Sequence, residues 1–436
     1  MSIIPSFPNP LKLLKLFTSA PPPAIDLPSV EIYEIETSPE KSPRTLKHLL
    51  RLNHANHAIL YHNLQFHNHL PHILGSAYIL GAGPLQLGNI YDEESKTLEK
   101  WEDSPNEVSR HDWRDYLGDK RFQRSYVDFF EDELVRLGYD WRNVVAEYLF
   151  KGKEPLINGM IGGLGHPLIH LGYAFELSSR ELGMEALSLT ATNYNFLHKY
   201  LDKASSYSTN PSLSSPGATH TSTSPLEILE RVRADKRFDG LFESRGSNNI
   251  QTLFDEREAA VLEYWTSWSI QDPIKQFKDS QRAAAAILVA TDRAANHHHT
   301  FDFFLVHLLT TSHAVRILLP FIPAKFHIPL VRQWWLFTLA VYIAQLRPEI
   351  KLDRINDYDL AGRDWKWAVD QAVGGKHALD AHYVKAIRAM KEAAHTWTDH
   401  DQFYLKAAVQ FADEFESWGG FGPESASDVE IYDKQH

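Results

Sequence analysis

The chain has no cysteine. That absence removes disulfides, thiolate nucleophiles, iron–sulfur clusters, thiolate-ligated haem and cysteine-type zinc fingers together. Basic charge is not in excess either. Lys and Arg number 44 against 56 Asp and Glu, a formal charge of −12, whereas a nucleic-acid binder would carry a basic stripe. No stretch reaches the roughly 18 uncharged apolar residues of a membrane span, and the best run, Trp334 to Leu346, reads as a buried helix. Two-residue alternation is nearly missing; Val30 to Ile35 shows it, so one extended strand is expected there. With so few strands, the chain lacks the strand–GxGxxG–helix unit that holds a flavin or nicotinamide dinucleotide, and Gly81-Ala82-Gly83 does not replace it. Met1 to Pro23 lacks the unbroken apolar core of a secretory leader. An arm lying over the globule is expected instead, in a cytoplasmic protein.

Apolar side chains and histidine are what the chain has in quantity. Hydrophobic residues make up 43% of 436 and aromatics 12%, enough for a large core. Apolar positions recur every three or four residues in Arg44–Leu64, Pro71–Leu80, Arg121–Leu137, Trp141–Leu149, Pro167–Leu182, Glu185–Leu201, Leu226–Val232 and Asn249–Ser267. The pattern resumes in Pro273–Val289, Phe301–Leu319, Ile328–Leu346, Trp365–Val373, Leu379–Ala394 and Phe403–Phe415. The fold is therefore expected to be all-α, a single large helical globule. Residues 1–45 form its N-terminal arm, 46–418 its body, and 419–436 a loosely held acidic tail. Ala204 to Pro225, rich in Ser, Thr and Pro, reads as a mobile surface insertion.

There are 23 histidines, and many fall in blocks. Neutral imidazole is the commonest protein ligand for Zn, Fe, Cu and Ni. In Phe66-His67-Asn68-His69-Leu70-Pro71-His72, Pro71 opens a helix, so His69 sits at a break between two helices. Gly162-Gly163-Leu164-Gly165-His166-Pro167-Leu168-Ile169-His170 repeats that design, with glycines that let the backbone approach another element closely. His307 is the one polar residue in the middle of an apolar helix and needs a partner there. His382 and Lys385, three apart, share a helix face. Burial beside a cation would lower the lysine's proton affinity, and a neutral amine can take up CO2 to become a carbamate, an anionic oxygen ligand. His72, His170 and His313 stand in reserve, and His297 to His299 read as a polar helix start without chemistry. Any single histidine of this kind is more often a core residue bonded to a carbonyl than a ligand.

The segments FHNHLPHILGSAYILGA, GGLGHPLIHLGYAFE, FDFFLVHLLTTSHAVRILLP and DAHYVKAIRAM together resemble the questin oxidase family over about Leu46 to Phe415. That resemblance implies an oxygenase of aromatic polyketide biosynthesis that opens an anthraquinone ring with O2, sometimes with NADPH. It implies site positions His69, His166, His307 and His382, with Lys385 beside the last. Because no dinucleotide-binding unit is present, a histidine-held redox metal is the natural source of oxygen chemistry, and non-haem Fe(II) is the first choice. Phe66, Phe303, Phe304, Trp334 and Trp335 are candidate walls for a flat substrate. Two other readings stay open: a metal-dependent hydrolase, and a helical scaffold without catalysis. The expected partner is a small aromatic polyketide, with no nucleic acid and no membrane span.

Overall fold

The computed structural model describes residues 24–202, 221–291 and 300–422, and among them the architecture is all-α. The chain opens with α1 (Lys41–Asn56), a hairpin of β1 (Leu60–Tyr61) and β2 (Phe66–His67), then α2 (Leu70–Ile79) and α3 (Pro84–Glu94). The middle holds α4 (Gln123–Arg136), α5 (Trp141–Phe150), α6 (His166–Leu177), α7 (Arg180–Thr192), α8 (Pro225–Ala234), α9 (Asn249–Ser267) and α10 (Pro273–Val289). Then come β3 (Thr300–Asp302), α11 (Phe303–Leu318), α12 (His327–Ala344), α13 (Asp353–Asn356), α14 (Trp365–Gly374), α15 (Ala381–Trp397), α16 (Phe403–Glu414) and β4 (Ser417–Gly419). The strands form two separate pairs, β1 antiparallel to β2 and β3 parallel to β4.

Four helices make the frame of the interior. α6 packs on α11, α11 on α15, α15 on α2 and α2 on α6. Every residue of α6 is buried, as is all of α11 except Phe303, which fits sequences apolar around the whole helix rather than on one stripe. The remaining helices cover this frame: α7 lies on α6, α10 and α12 on α11, α14 and α16 on α15, and α1 and α3 on α2.

Several boundaries differ from the sequence reading for identifiable reasons. Val30–Ile35 forms no strand; it runs extended, with Val30 and Ile35 buried and Tyr33 N–H donating to the Glu176 carbonyl. The long run from Arg44 stops at Asn56, and the hairpin turns through His62, Asn63 and Leu64, all with positive φ. Pro167–Leu182 is cut at Ser178 (φ 53), and Ser179 caps the new helix α7. Helix α3 has no counterpart in the sequence reading. The last residues of the expected insertion are ordered: Ser222 pairs with Trp268 and Ser224 caps α8. The expected loose tail is held at its start by β4 pairing with β3, and 423–436 lie outside the described residues, as do 1–23 and His297 to His299. No helix of the described residues is long and apolar enough to cross a membrane.

The glycine-rich turn before α6 is a close-approach point. A Cβ on Gly162 would stand 1.9 Å from the Asn193 carbonyl oxygen at the end of α7, whereas one on Gly88 in α3 meets nothing within 4 Å. Gly162→Ala is therefore expected to destabilise by about 1–3 kcal/mol or more, and Gly88→Ala to stabilise by about 0.5–1 kcal/mol. Urea unfolding of the two variants against the parent chain measures both.

Candidate metal centre and substrate cavity

The frame helices bring four stretches of chain to one point. His69 lies at the start of α2, not between two helices as the proline suggested but between strand β2 and the helix. His166 is the first residue of α6, held by three successive positive-φ residues, Gly163, Leu164 and Gly165. His307 lies one turn into α11, which Asp302 caps by accepting from Phe304 and Leu305 N–H. His382 opens α15, capped by Asp380, whose other oxygen accepts from Trp418 Nε1 at 2.6 Å.

One donor atom each of His69, His166 and His382 lies within 4.8 Å of the others. His69 is partly exposed, while His166 and His382 are buried. The His307 ring is 5.0 Å from those of both His166 and His382. His67 stacks flat on His166 at 3.9 Å. Two backbone carbonyls fix the tautomers, because they can only accept: His166 Nδ1–H donates to Gly163 O at 2.6 Å and His307 Nδ1–H to Phe303 O at 2.9 Å. Each ring then turns a lone pair, on Nε2, away from its anchor. His166 Nε2 stands 2.9 Å from His69 Nε2. His307 Nε2 and Lys385 Nζ are buried with no hydrogen-bond partner among the described residues.

Burial is the largest influence on every ring of the cluster. It pushes His67 and His307 down to about 3, helped by Lys120 and Lys385 respectively, and holds His69, His166 and His382 well below the ordinary imidazole range. Burial also pulls Lys385 from 10.5 down to about 7, against the opposing charge of Asp380. The cluster is therefore a set of uncharged nitrogen donors at neutral pH. That donor set fits a divalent transition metal. At 2.9 Å, His69 Nε2–H can donate to His166 Nε2, and an ion taking that proton's place would have both nitrogens within reach.

His67, His69 and His166 reach the wall of a cavity of about 1070 Å³. Tyr61, Phe66, Phe303, Phe304 and Phe421 supply aromatic surface to it, and Lys120 and Arg245 supply positive charge. Three of the five expected wall residues are thus in place. Trp334 and Trp335 are not; both are fully buried in α12, away from the cavity lining. Phe421, in the expected loose tail, packs on Phe303 and Phe304 at 5.3 and 5.5 Å.

With this geometry in view, the comparisons with known proteins are specific. The questin oxidase-like family pattern matches residues 66–390. The chain belongs to that family. A Baeyer–Villiger oxidase of Pestalotiopsis microspora is 24% identical over 369 residues, 81% of each chain. The questin oxidase of Aspergillus terreus is 24% identical over 378 residues, covering 83% of this chain and 82% of the relative. A Baeyer–Villiger monooxygenase of Aspergillus aculeatus is 25% identical over 384 residues, covering 81% and 79%. This questin oxidase-like protein is an oxidoreductase.

The reserve histidines divide. His313 stands apart, beside Arg316 and Arg388, with neither ring nitrogen bonded among the described residues. His72 and His170 form a second network: His72 Nε2 to His170 Nδ1 at 3.1 Å, then His170 Nε2 to Glu185 at 2.8 Å. The other Glu185 oxygen meets His54 Nδ1 at 2.7 Å, and His54 Nε2 meets Glu131 at 2.8 Å. His54, Glu131 and Glu185 escaped the sequence reading. The available signal was Glu185 itself, a carboxylate inside the apolar run of α7.

That network gives a measurable pH dependence. Burial alone would lower the His54 ring, but Glu131 and Glu185 on its two nitrogens raise it from 6.5 to about 10. A raised imidazole stabilises fully below its unfolded value, and that contribution is lost as pH climbs from 6.5 through 10. Burial would raise Glu185, but hydrogen bonds from His170 and His54 lower it from 4.5 to about 2, so its contribution is lost as pH falls through that interval. His54→Gln is expected to cost on the order of a few kcal/mol at neutral pH. The deficit against the parent chain should shrink between pH 6.5 and 10, read from urea unfolding across that range.

Proposed function

We propose that this questin oxidase-like protein is a non-haem, metal-dependent oxygenase that opens the ring of a hydroxylated anthraquinone-type polyketide with O2. The observation that carries it is the convergence of three uncharged imidazole donors from α2, α6 and α15 beside an aromatic-walled cavity. The questin oxidase of Aspergillus terreus supplies the substrate class by its name.

His69, His166 and His382 would hold the metal, with the free Nε2 of His307 as a fourth nitrogen. Iron, when bound there, would supply the redox chemistry that the side chains lack. Lys385, as its carbamate, would give the otherwise all-nitrogen site an anionic oxygen. Phe66, Phe303, Phe304 and Phe421 present rings against which a planar tricycle can stack. A cavity of about 1070 Å³ leaves room for one such molecule with its substituents. Lys120 and Arg245 place cationic groups where a phenolate or carboxylate would lie. The rings of His67 and Phe303 lie directly on His166 and His382, at 3.9 and 4.6 Å, and exclude water from that side of the donors.

Purified protein loaded with Fe(II) should convert a member of a small anthraquinone panel to a ring-opened product carrying 18O from 18O2. His69→Ala, His166→Ala and His382→Ala should each lose stoichiometric iron and lower turnover by at least about 100-fold, while helical circular dichroism stays near that of the parent. Full iron and full turnover in all three variants would remove the proposal. Zinc with ester or amide hydrolysis would point to a hydrolase instead.

A further inference from the structure

The four frame helices all begin at the histidine cluster, and further along they enclose a second pocket. It holds about 360 Å³ and is lined by Ile79 at the end of α2, Glu176 on α6, Arg316 on α11, and Arg388 and Lys391 on α15. About ten residues, or about 15 Å along a helix, separate His166 from Glu176, His307 from Arg316 and His382 from Lys391. The substrate cavity shares no lining residue with this pocket. The extended arm forms its outer wall through Leu27 to Glu31 and Tyr33. That arm is tied down on both sides, Ile25 N–H donating to His327 Nδ1 at 3.0 Å and Tyr33 N–H to the Glu176 carbonyl at 2.7 Å.

Two guanidinium groups set the chemistry of this pocket. Arg316 and Arg388 are each 3% exposed, and a guanidinium keeps its charge when buried. Arg388 uses Nη2 on Glu176, in an ion pair whose two side chains are both 4% exposed. Arg316 uses Nε on Thr396 Oγ1 at 2.9 Å, and Thr396 in turn donates to Glu392 at 3.1 Å. Nη1 of each arginine is buried without a hydrogen-bond partner among the described residues. Neither Arg316 nor Lys391 forms an ion pair with a carboxylate among those residues. A buried cation with unfilled donors is unfavourable unless an acceptor meets it.

We propose that this pocket is a binding site for an organic monocarboxylate, separate from the substrate cavity. The carboxylate would lie between Arg316 and Arg388 with Lys391 at the rim, because N–H donors on two guanidinium groups match its two oxygens. Leu27, Val30, Ile79 and Leu80 give the rest of the molecule an apolar wall. Glu31, Glu176 and Glu392 also line the space, and they limit the guest to one negative charge, since a dianion would face three acids. A volume of about 360 Å³ takes a body the size of one substituted ring. The site stands whether or not the metal centre is that of an oxygenase.

Benzoate is the probe, with benzamide as its uncharged match and phthalate as the dianion. Isothermal titration of the full-length protein at neutral pH should show saturable binding of benzoate, at least about tenfold tighter than of benzamide or phthalate. In hydrogen exchange, benzoate should protect residues 27–33 of the arm and leave 243–249 of the substrate cavity unchanged. Arg316→Met should weaken benzoate by about tenfold or more. Lys391→Ala, at an exposed position, should weaken it about two- to threefold, and Arg245→Ala should leave it within about twofold. No saturable binding below about 10 mM, equal affinity for benzamide, preference for phthalate, or a loss caused by Arg245→Ala rather than Arg316→Met overturns the site. If Arg316→Met does not fold, Lys391→Ala and the exchange pattern decide alone.

Discussion

An uncharged imidazole has one donor and one acceptor, and here burial keeps a whole cluster of them uncharged in one place. The backbone takes the donors of His166 and His307, at Gly163 and Phe303. Their Nε2 acceptors face the cluster, that of His166 toward His69 Nε2 and that of His307 without a partner among the described residues. Lone pairs gathered in a water-poor space without a proton or a cation are unfavourable, since a buried polar group without a partner costs about 1–3 kcal/mol. A divalent ion bound there would turn that cost into binding free energy, because it would interact with the folded arrangement and not with the unfolded chain.

Keeping such donors poised requires a frame that does not relax. Of the four helices that carry the cluster, α6 is buried throughout and α11 all but Phe303, and each site histidine sits in a first or second turn. Asp302 and Asp380 cap α11 and α15, each cap being worth about 1 kcal/mol. Trp418 ties Asp380 to strand β4, and the pairing of β4 with β3 ties it in turn to the start of α11. Strand β4 thus braces at once the two helices that carry His307 and His382. It also brings Phe421 over the cavity.

What the sequence revealed of this follows from which forces are local. Helices buried all round announce themselves as long apolar runs, so the frame helices were legible from Pro71, Pro167, Phe301 and Leu379 onward. Proline and glycine beside His69 and His166 marked helix starts, because both act through their own backbone angles. Helix α3 left little trace: Leu85 is 85% exposed, which blurs its apolar stripe. Val30–Ile35 runs extended along the globule rather than in a sheet, with Val30 and Ile35 buried and Glu31 and Glu34 exposed. The partners of His54, 77 and 131 residues away, were not legible. Trp334 and Phe421 show the same limit, since an aromatic residue signals burial but not which surface it faces.

Charge links the two halves of the site. The donor group contains histidines alone, with no carboxylate among the described residues that joins it. Asp380 is committed to capping α15 and to Trp418, and Glu185 lies beyond two intervening imidazoles. A dication held only by imidazoles keeps its full charge, and that charge has to be met from elsewhere. Lys385 can meet part of it only by becoming an anion. The other source is the cavity side, where Lys120 and Arg245 already bias the space toward an anionic guest. A histidine-only donor set would thus favour an anion on the cavity side, where Lys120 and Arg245 stand.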